Sequence, residues 1–288
     1  MPMTKRKIEP YLYIFPYFLV FLLFLVIPGV SGMVIGLFDW QVVGTRQFIG
    51  LGNFIELMSD PVFLRAVRNT LFYTLMYVPV FIVIGLLLAL MLNLDFAGRG
   101  IMRGIIYAPY IFMIPAIAVI WRWFLDTNYG ILNYYLQALG LPFIRWLTDP
   151  KIALQSIVMV ISWETVGYSM VIFLAGLQEI PKELYEAALV DGATAWHRFW
   201  RVTLPQLRPT TFFLFVIGAI GALKTFGQPF MMTAGGPVDS TMTVVMTLYF
   251  NGFQYFRMGY AAAISALLFV GIFAFTLLQF RTLKQGVD

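Results

Sequence analysis

"ELYEAALVDGATAWHRFWRVTLP", residues 183–205, is the most water-compatible passage in a chain that is 60% hydrophobic. Glu183, Glu186, Asp191, His197, Arg198 and Arg201 crowd into it, while the sequence on either side is apolar enough for lipid. Its local chemistry reads as two short helices joined by a turn. Pro181 suits the first turn of a helix, where its missing N–H costs nothing. Glu183 and Glu186 follow near that N-terminus, where the helix dipole favours negative charge. Asp191-Gly192 stops the first helix, the glycine supplying a left-handed conformation. Thr194 caps a second helix that runs to about Val202, and Leu204-Pro205 ends it. Leu184, Ala187, Ala188, Phe199 and Trp200 are too many apolar side chains for a free loop. They suit an amphipathic hairpin resting on a membrane surface, or a docking element for another protein.

The flanks decide what kind of molecule carries this hairpin. Only 11% of residues are charged, against about 25% in ordinary soluble proteins, and the mean hydropathy is +0.83. A single soluble core cannot absorb so much apolar surface, so the bilayer is the solvent. The 28 Phe and seven Trp suit the aromatic belts of a membrane protein. The absence of Cys excludes disulfides and thiolate metal sites, and a single His excludes a His-rich metal centre. The net charge of +5 is scattered in short basic clusters between apolar runs, which reads as membrane topology and not as a nucleic-acid-binding face.

Six stretches are long enough to cross roughly 30 Å of hydrocarbon, which takes about 20 residues. They lie near 11–38, 69–94, 105–125, 152–176, 210–230 and 258–280. The first is too long and too aromatic for a cleaved signal and lacks a small-residue cleavage site, which predicts a retained helix. With the N-terminus inside, eleven Lys and Arg fall in cytoplasmic segments: Lys5, Arg6, Lys7, Arg99, Arg103, Lys182, Arg198, Arg201, Arg208, Arg281 and Lys284. Six fall outside: Arg46, Arg65, Arg68, Arg145, Lys151 and Arg257. That asymmetry follows the positive-inside rule. An even number of spans then predicts that both termini and the 181–205 hairpin are cytoplasmic, within one transmembrane domain covering residues 1–288.

The hairpin carries a further pattern. Glu186-Ala187-Ala188, three residues, Gly192, nine residues and then Val202-x-Leu204-Pro205 resembles the EAA motif of ABC-importer permeases, with Val202 at the usual isoleucine. The segments "GLGNFIELMSDPVFLRAVRNTLFYT" (50–74), "LTDPKIALQSI" (147–157) and "MTAGGPVDSTMTVVMTLYFNGF" (232–253) are similar to carbohydrate-uptake permeases, of the type of the larger maltose-transporter membrane subunit. The resemblance implies an all-α, type I importer permease in the cytoplasmic (inner) membrane of a bacterium or archaeon. It implies a pore for a sugar or oligosaccharide, worked by alternating access, a second permease subunit as partner and an extracytoplasmic sugar-binding protein. It also implies that Glu186, Ala187, Ala188, Gly192, Leu204 and Pro205 couple to an ATPase dimer. The dipeptide Gly-Lys is absent, so this chain builds no P-loop. It is expected to hold no cofactor, with ATP and Mg bound by the partner.

An ionisable residue at mid-bilayer is a functional candidate, because burying it costs several kcal/mol. Glu164 sits at the middle of the fourth span, with Thr165 adjacent and Tyr168 one turn on; Lys224 lies in the fifth span beside Thr225. The spacing allows Glu164 and Lys224 to pair across a pathway, and equally allows Lys224 to snorkel outward while Glu164 makes an interhelical contact. The resemblance to maltose transporters places sugar-contacting positions at Tyr110, Ile114, Glu164, Thr165, Tyr168, Gly218, Ala222 and Thr225. Tyr110 and Tyr168 suit stacking on the apolar face of a sugar ring. An ion-coupled secondary transporter could instead use Glu164 as a proton or ion carrier; it would show broken helices and inverted repeats. A membrane-embedded transferase would gather polar catalytic residues at one interface, and none gather here, so no enzymatic chemistry is expected.

Overall fold

The computed structural model describes residues 3–41 and 45–284. Helix α1 (Met3–Phe21) runs through a π-helical segment (Leu22–Val26) into α2 (Ile27–Ile35). A short antiparallel ribbon follows, β1 (Phe38–Asp39) on β2 (Gln47–Phe48), with Phe38 opposite Phe48. Then come α3 (Gly52–Ser59), α4 (Pro61–Leu92), α5 (Arg99–Ile111), α6 (Ile114–Phe124), α7 (Ile131–Ala138) and α8 (Ala153–Glu179). The hairpin holds α9 (Lys182–Val190), α10 (Ala195–Arg198), a π turn (Phe199–Thr203) and α11 (Leu204–Gln206). The chain finishes with α12 (Arg208–Leu223), α13 (Gly227–Thr233), α14 (Val244–Tyr249), a π turn (Phe250–Gln254) and α15 (Met258–Lys284).

Among the described residues, four helical stretches are long and apolar enough to cross a bilayer unaided: Tyr11–Ile35, Pro61–Leu92, Ala153–Glu179 and Met258–Arg281. Two bent pairs bring the number to six if each counts once. The third expected span, 105–125, is not one rod: α5 and α6 meet at 98°. Pro109 and Pro115 flank that bend, removing backbone donors where a straight helix needs them. The fifth, expected over 210–230, stops at Leu223, and α13 is a separate helix beyond the break. The second begins at Pro61 and not near 69, because Asp60 accepts the N–H groups of Val62 (2.8 Å) and Phe63 (3.3 Å) through its side chain. The first ends by Ile35, since Phe38 is already in the ribbon.

The described residues form two compact units, one within Met1–Leu64 and Thr247–Ala274, the other within Arg65–Met246 and Phe275–Asp288. In the first, the buried Asn53 amide donates to the carbonyls of Gly36 and Phe38, both at 2.9 Å. Arg257 pairs with Glu56 at 2.7 Å, and Tyr260 donates to Asp60. No residue from Tyr11 to Ile35 is buried. In the second unit, α8 is the axis, packed by α5, α12 and α13. Ile157, Val160, Met170 and Phe173 of α8 are completely enclosed. Gly167 lets α5 come close: a Cβ there would lie 2.3 Å from the Ile106 carbonyl oxygen and 2.8 Å from Tyr107 Cα. Small residues at such crossings permit the backbone contact that drives helix association in lipid.

Candidate functional site: the hairpin and the mid-span polar residues

The hairpin forms much as its residues dictate, with two differences. Pro181 is the N-cap of α9 and not its first turn. Gly192 takes φ 74°, its N–H donating to Leu189 O (3.0 Å) while Ala193 N–H reaches Ala188 O (2.9 Å), and the left-handed turn closes α9. Thr194 accepts the His197 backbone N–H (3.4 Å) and caps α10. The second difference is at the end: Leu204-Pro205 do not stop the chain's helical course. Proline is tolerated in a first turn, and Pro205 sits in the first turn of α11, so the direction changes only at Leu207, by 61°. Tyr185 and Thr203 hydroxyls, 3.0 Å apart, tie the two arms together.

Glu186, Ala187 and Gly192 are exposed, whereas Ala188, Leu204 and Pro205 are half-buried. Glu186 has no ion-pair partner among the described residues. Trp196 is 67% exposed and meets Trp200 edge to face at 5.5 Å. The hairpin thus exposes both a carboxylate and indole rings.

The mid-span residues separate into two groups. Tyr110 of α5, exposed, stacks on half-buried Tyr168 of α8, with ring centres 5.0 Å apart and planes at 26°. Beside them Thr165 accepts the Tyr77 hydroxyl at 3.0 Å and donates to the Ile161 carbonyl at 2.8 Å. Tyr77 belongs to a column on α4, stacked between Tyr73 (5.7 Å) and Phe81 (5.4 Å). Glu164 lies one turn before Tyr168 on α8, and its Oε2 accepts the Gln228 side-chain amide of α13 at 2.8 Å. Both are buried.

The direct Glu164–Lys224 pair does not form. Lys224 is exposed at the C-terminal cap of α12 and makes no ion pair among the described residues. The reason is the chain break: helical rise stops at Leu223, and the next helical turn presents Gln228 to Glu164 instead. Thr225 is buried, its carbonyl accepting the Thr243 hydroxyl at 2.9 Å. Ile114 is exposed at the start of α6. Gly218 and Ala222 are buried, and a Cβ on Gly218 would meet the Phe81 ring of α4 at 3.1 Å, so Gly218 packs closely on α4. Gln228, Tyr73 and Tyr77 escaped sequence reasoning because it sought charges. An amide or phenol inside an apolar run carries the same warning, more quietly. Among the described residues, no group of three or more His, Cys, Asp or Glu could hold a metal ion.

Residues 48–283 match the sequence pattern of the binding-protein-dependent transport system inner membrane components. The chain belongs to that family. It is similar to the probable ABC transporter permease protein YurN of Bacillus subtilis, at 34% identity over 99% of both chains. It is also 34% identical to the trehalose/maltose transport system permease protein MalF of Thermococcus litoralis, over 94% of this chain and 92% of that one. A crystal structure of a bacterial ABC transporter involved in the import of alginate contains a chain with TM-score 0.85 and 27% identity, covering 99% of the permease and 98% of that chain. A second, of the alginate transporter in complex with an alginate pentasaccharide-bound periplasmic protein, gives TM-score 0.86. The chain is thus a largely helical permease of the type I importer fold, an inner-membrane component of a binding-protein-dependent ABC transporter and not an enzyme. The broken third span would also suit an ion-coupled carrier, so it separates nothing; the family does.

Proposed function

We propose that the permease forms half of the pathway of a sugar or oligosaccharide importer. It would span the membrane six times with both termini in the cytoplasm, and the 181–205 hairpin would transmit closure of a separate ATPase dimer to the spans. The observation that carries this reading is the hairpin: a polar helix pair with exposed Glu186 and Ala187, turned by left-handed Gly192 and bonded across by Tyr185 and Thr203. Such a unit moves as a lever because its arms are joined to each other. Glu186, Ala187, Ala188, Gly192, Leu204 and Pro205 form the coupling surface. ATP and Mg bind the partner, a second permease completes the pore, and a binding protein delivers the solute from outside.

Sugar as the solute is supported by relatives named for trehalose/maltose and lactose transport, and by the Tyr110–Tyr168 platform with Thr165 and Tyr77 hydroxyls beside it. Rings with apolar faces and hydroxyl edges need that combination. Glu164, Lys224 and Thr225 belong to the same region of the pathway, Glu164 through its bond to Gln228. Co-purification followed by uptake in proteoliposomes tests the reading. A P-loop ATPase and a second permease should accompany the chain, and ATP-driven uptake of a labelled disaccharide should require the binding protein. Uptake driven by a proton or sodium gradient without ATP would overturn it.

A further inference from the structure

We propose that an anionic phospholipid occupies the cleft between α4 and the start of α12, its acyl chain on Ile82, Phe212 and Phe215 and its phosphate on Arg208. The cleft has a volume of about 380 Å³ and is lined by Ile82, Leu204, Arg208, Thr211, Phe212 and Phe215. That is within the roughly 300–1,000 Å³ of ligand sites. Four of the six lining side chains are hydrocarbon. A sugar needs several polar partners, so this cleft suits a chain of methylenes and not the transported solute.

The polar part is as specific as the apolar part. Arg208 has no ion pair or hydrogen bond among the described residues, and no carboxylate lines the cleft to neutralise it. Thr211, one helical turn further in, has a buried hydroxyl oxygen with no hydrogen-bond partner. A buried hydroxyl left unpaired is costly, and an ester or phosphate oxygen of a lipid headgroup would supply the acceptor it lacks. Phe212 packs edge to face on Phe280 of α15 at 5.3 Å, so the helix end bearing exposed Arg281 borders the same side. Cation above, unpaired hydroxyl below and aromatic hydrocarbon deeper is the order of groups along a glycerophospholipid. Basic pockets between transmembrane helices at the cytoplasmic side take anionic headgroups. Only the choice of leaflet rests on the proposed orientation; the ligand class does not depend on the solute carried.

The test uses the intact importer with its partner subunits, exchanged in mild detergent against phosphatidylglycerol or phosphatidylcholine of the same acyl chains. Native mass spectrometry counts the lipid retained. Wild type should keep phosphatidylglycerol in preference to phosphatidylcholine. Arg208→Gln should weaken phosphatidylglycerol retention about fivefold, the value of one basic group near an anionic surface, and Arg208→Lys should restore most of it. Thr211→Val is the second variant, expected to weaken both lipids, and Arg145→Gln, an exposed arginine elsewhere, should change nothing. Equal retention of the two lipids by wild type would overturn the proposal, as would an Arg208→Gln complex that holds phosphatidylglycerol undiminished. A wild-type complex that retains neither lipid means the second permease fills the cleft, and overturns it too. Displacement of the lipid by millimolar glycerol phosphate alone would reassign the site to a soluble phosphate.

Discussion

Glu164 was legible as a residue that matters, because a carboxyl amid apolar helix has nowhere to hide. Its partner was not. Counting 1.5 Å per residue along one helix led to Lys224, and the count failed where the helix failed, at Leu223. Gln228 meets the carboxylate instead, at 2.8 Å in a buried setting. Replacing Glu164 by Leu should therefore strand the Gln228 amide and cost about 1–3 kcal/mol, seen as a lower unfolding temperature in detergent, while Glu164→Gln keeps an acceptor and should lose much less. A double-mutant cycle with Gln228→Leu should be strongly non-additive, since the two are in contact. Additive losses would mean the bond contributes nothing. Tyr110 makes a separate prediction. Tyr110→Ala removes the exposed half of the stacked pair, and at about 0.5–1.5 kcal/mol per aromatic contact should raise the half-saturating sugar concentration up to roughly tenfold. Unchanged uptake would take the platform out of the pathway.

Elements were legible where punctuation is strong. Asp60-Pro61, Asp191-Gly192 and Thr194 each mark a boundary with a named hydrogen bond or backbone conformation, and the last two were read in advance. The 98° bend was not read, although Pro109 and Pro115 announce it, because a 21-residue apolar run between 105 and 125 satisfies a length criterion without regard to direction. Two substitutions test the elements. Gly192→Val has open space around its Cβ, so its whole cost is the left-handed backbone, of order 1–2 kcal/mol. It should loosen ATPase association and depress transport while leaving membrane insertion intact, as measured by pull-down and fractionation. Gly167→Ala drives a methyl into the Ile106 carbonyl and should lower the unfolding temperature clearly. Gly221→Ala, with nothing within 4 Å, should not. Equal effects would mean that the α5–α8 crossing does not depend on close backbone approach at Gly167.

For the molecule as a whole, composition alone identified lipid as the solvent, since no soluble core accommodates 60% hydrophobic residues. The expected sidedness rests on seventeen of the nineteen cations, since only Arg122 and Lys224 fall within the expected spans. What composition could not supply was the division into two units, because packing between helices that are all apolar leaves little trace in sequence. Orientation is open to a clean measurement, for the chain has no native Cys. In intact cells an impermeant thiol reagent should label Val238→Cys, 75% exposed, and should reach Ala195→Cys in the hairpin only after the membrane is broken. The opposite pattern would put the hairpin outside and end its role as an ATPase lever.

The bend at Phe112–Met113 has a consequence for how this permease tolerates change. Where α5 stops, its last carbonyls lose their helical partners, and broken backbone at membrane depth persists only where protein or water covers it. If the proposed pathway runs past that corner, a solute there would meet main-chain oxygens near Tyr110. Those acceptors belong to no side chain. Alanine scanning is blind to them, and the sequence can drift at 110–114 while the hydrogen-bonding surface stays in place. On that proposed reading, selectivity could be adjusted by side-chain shape around acceptors that the backbone supplies.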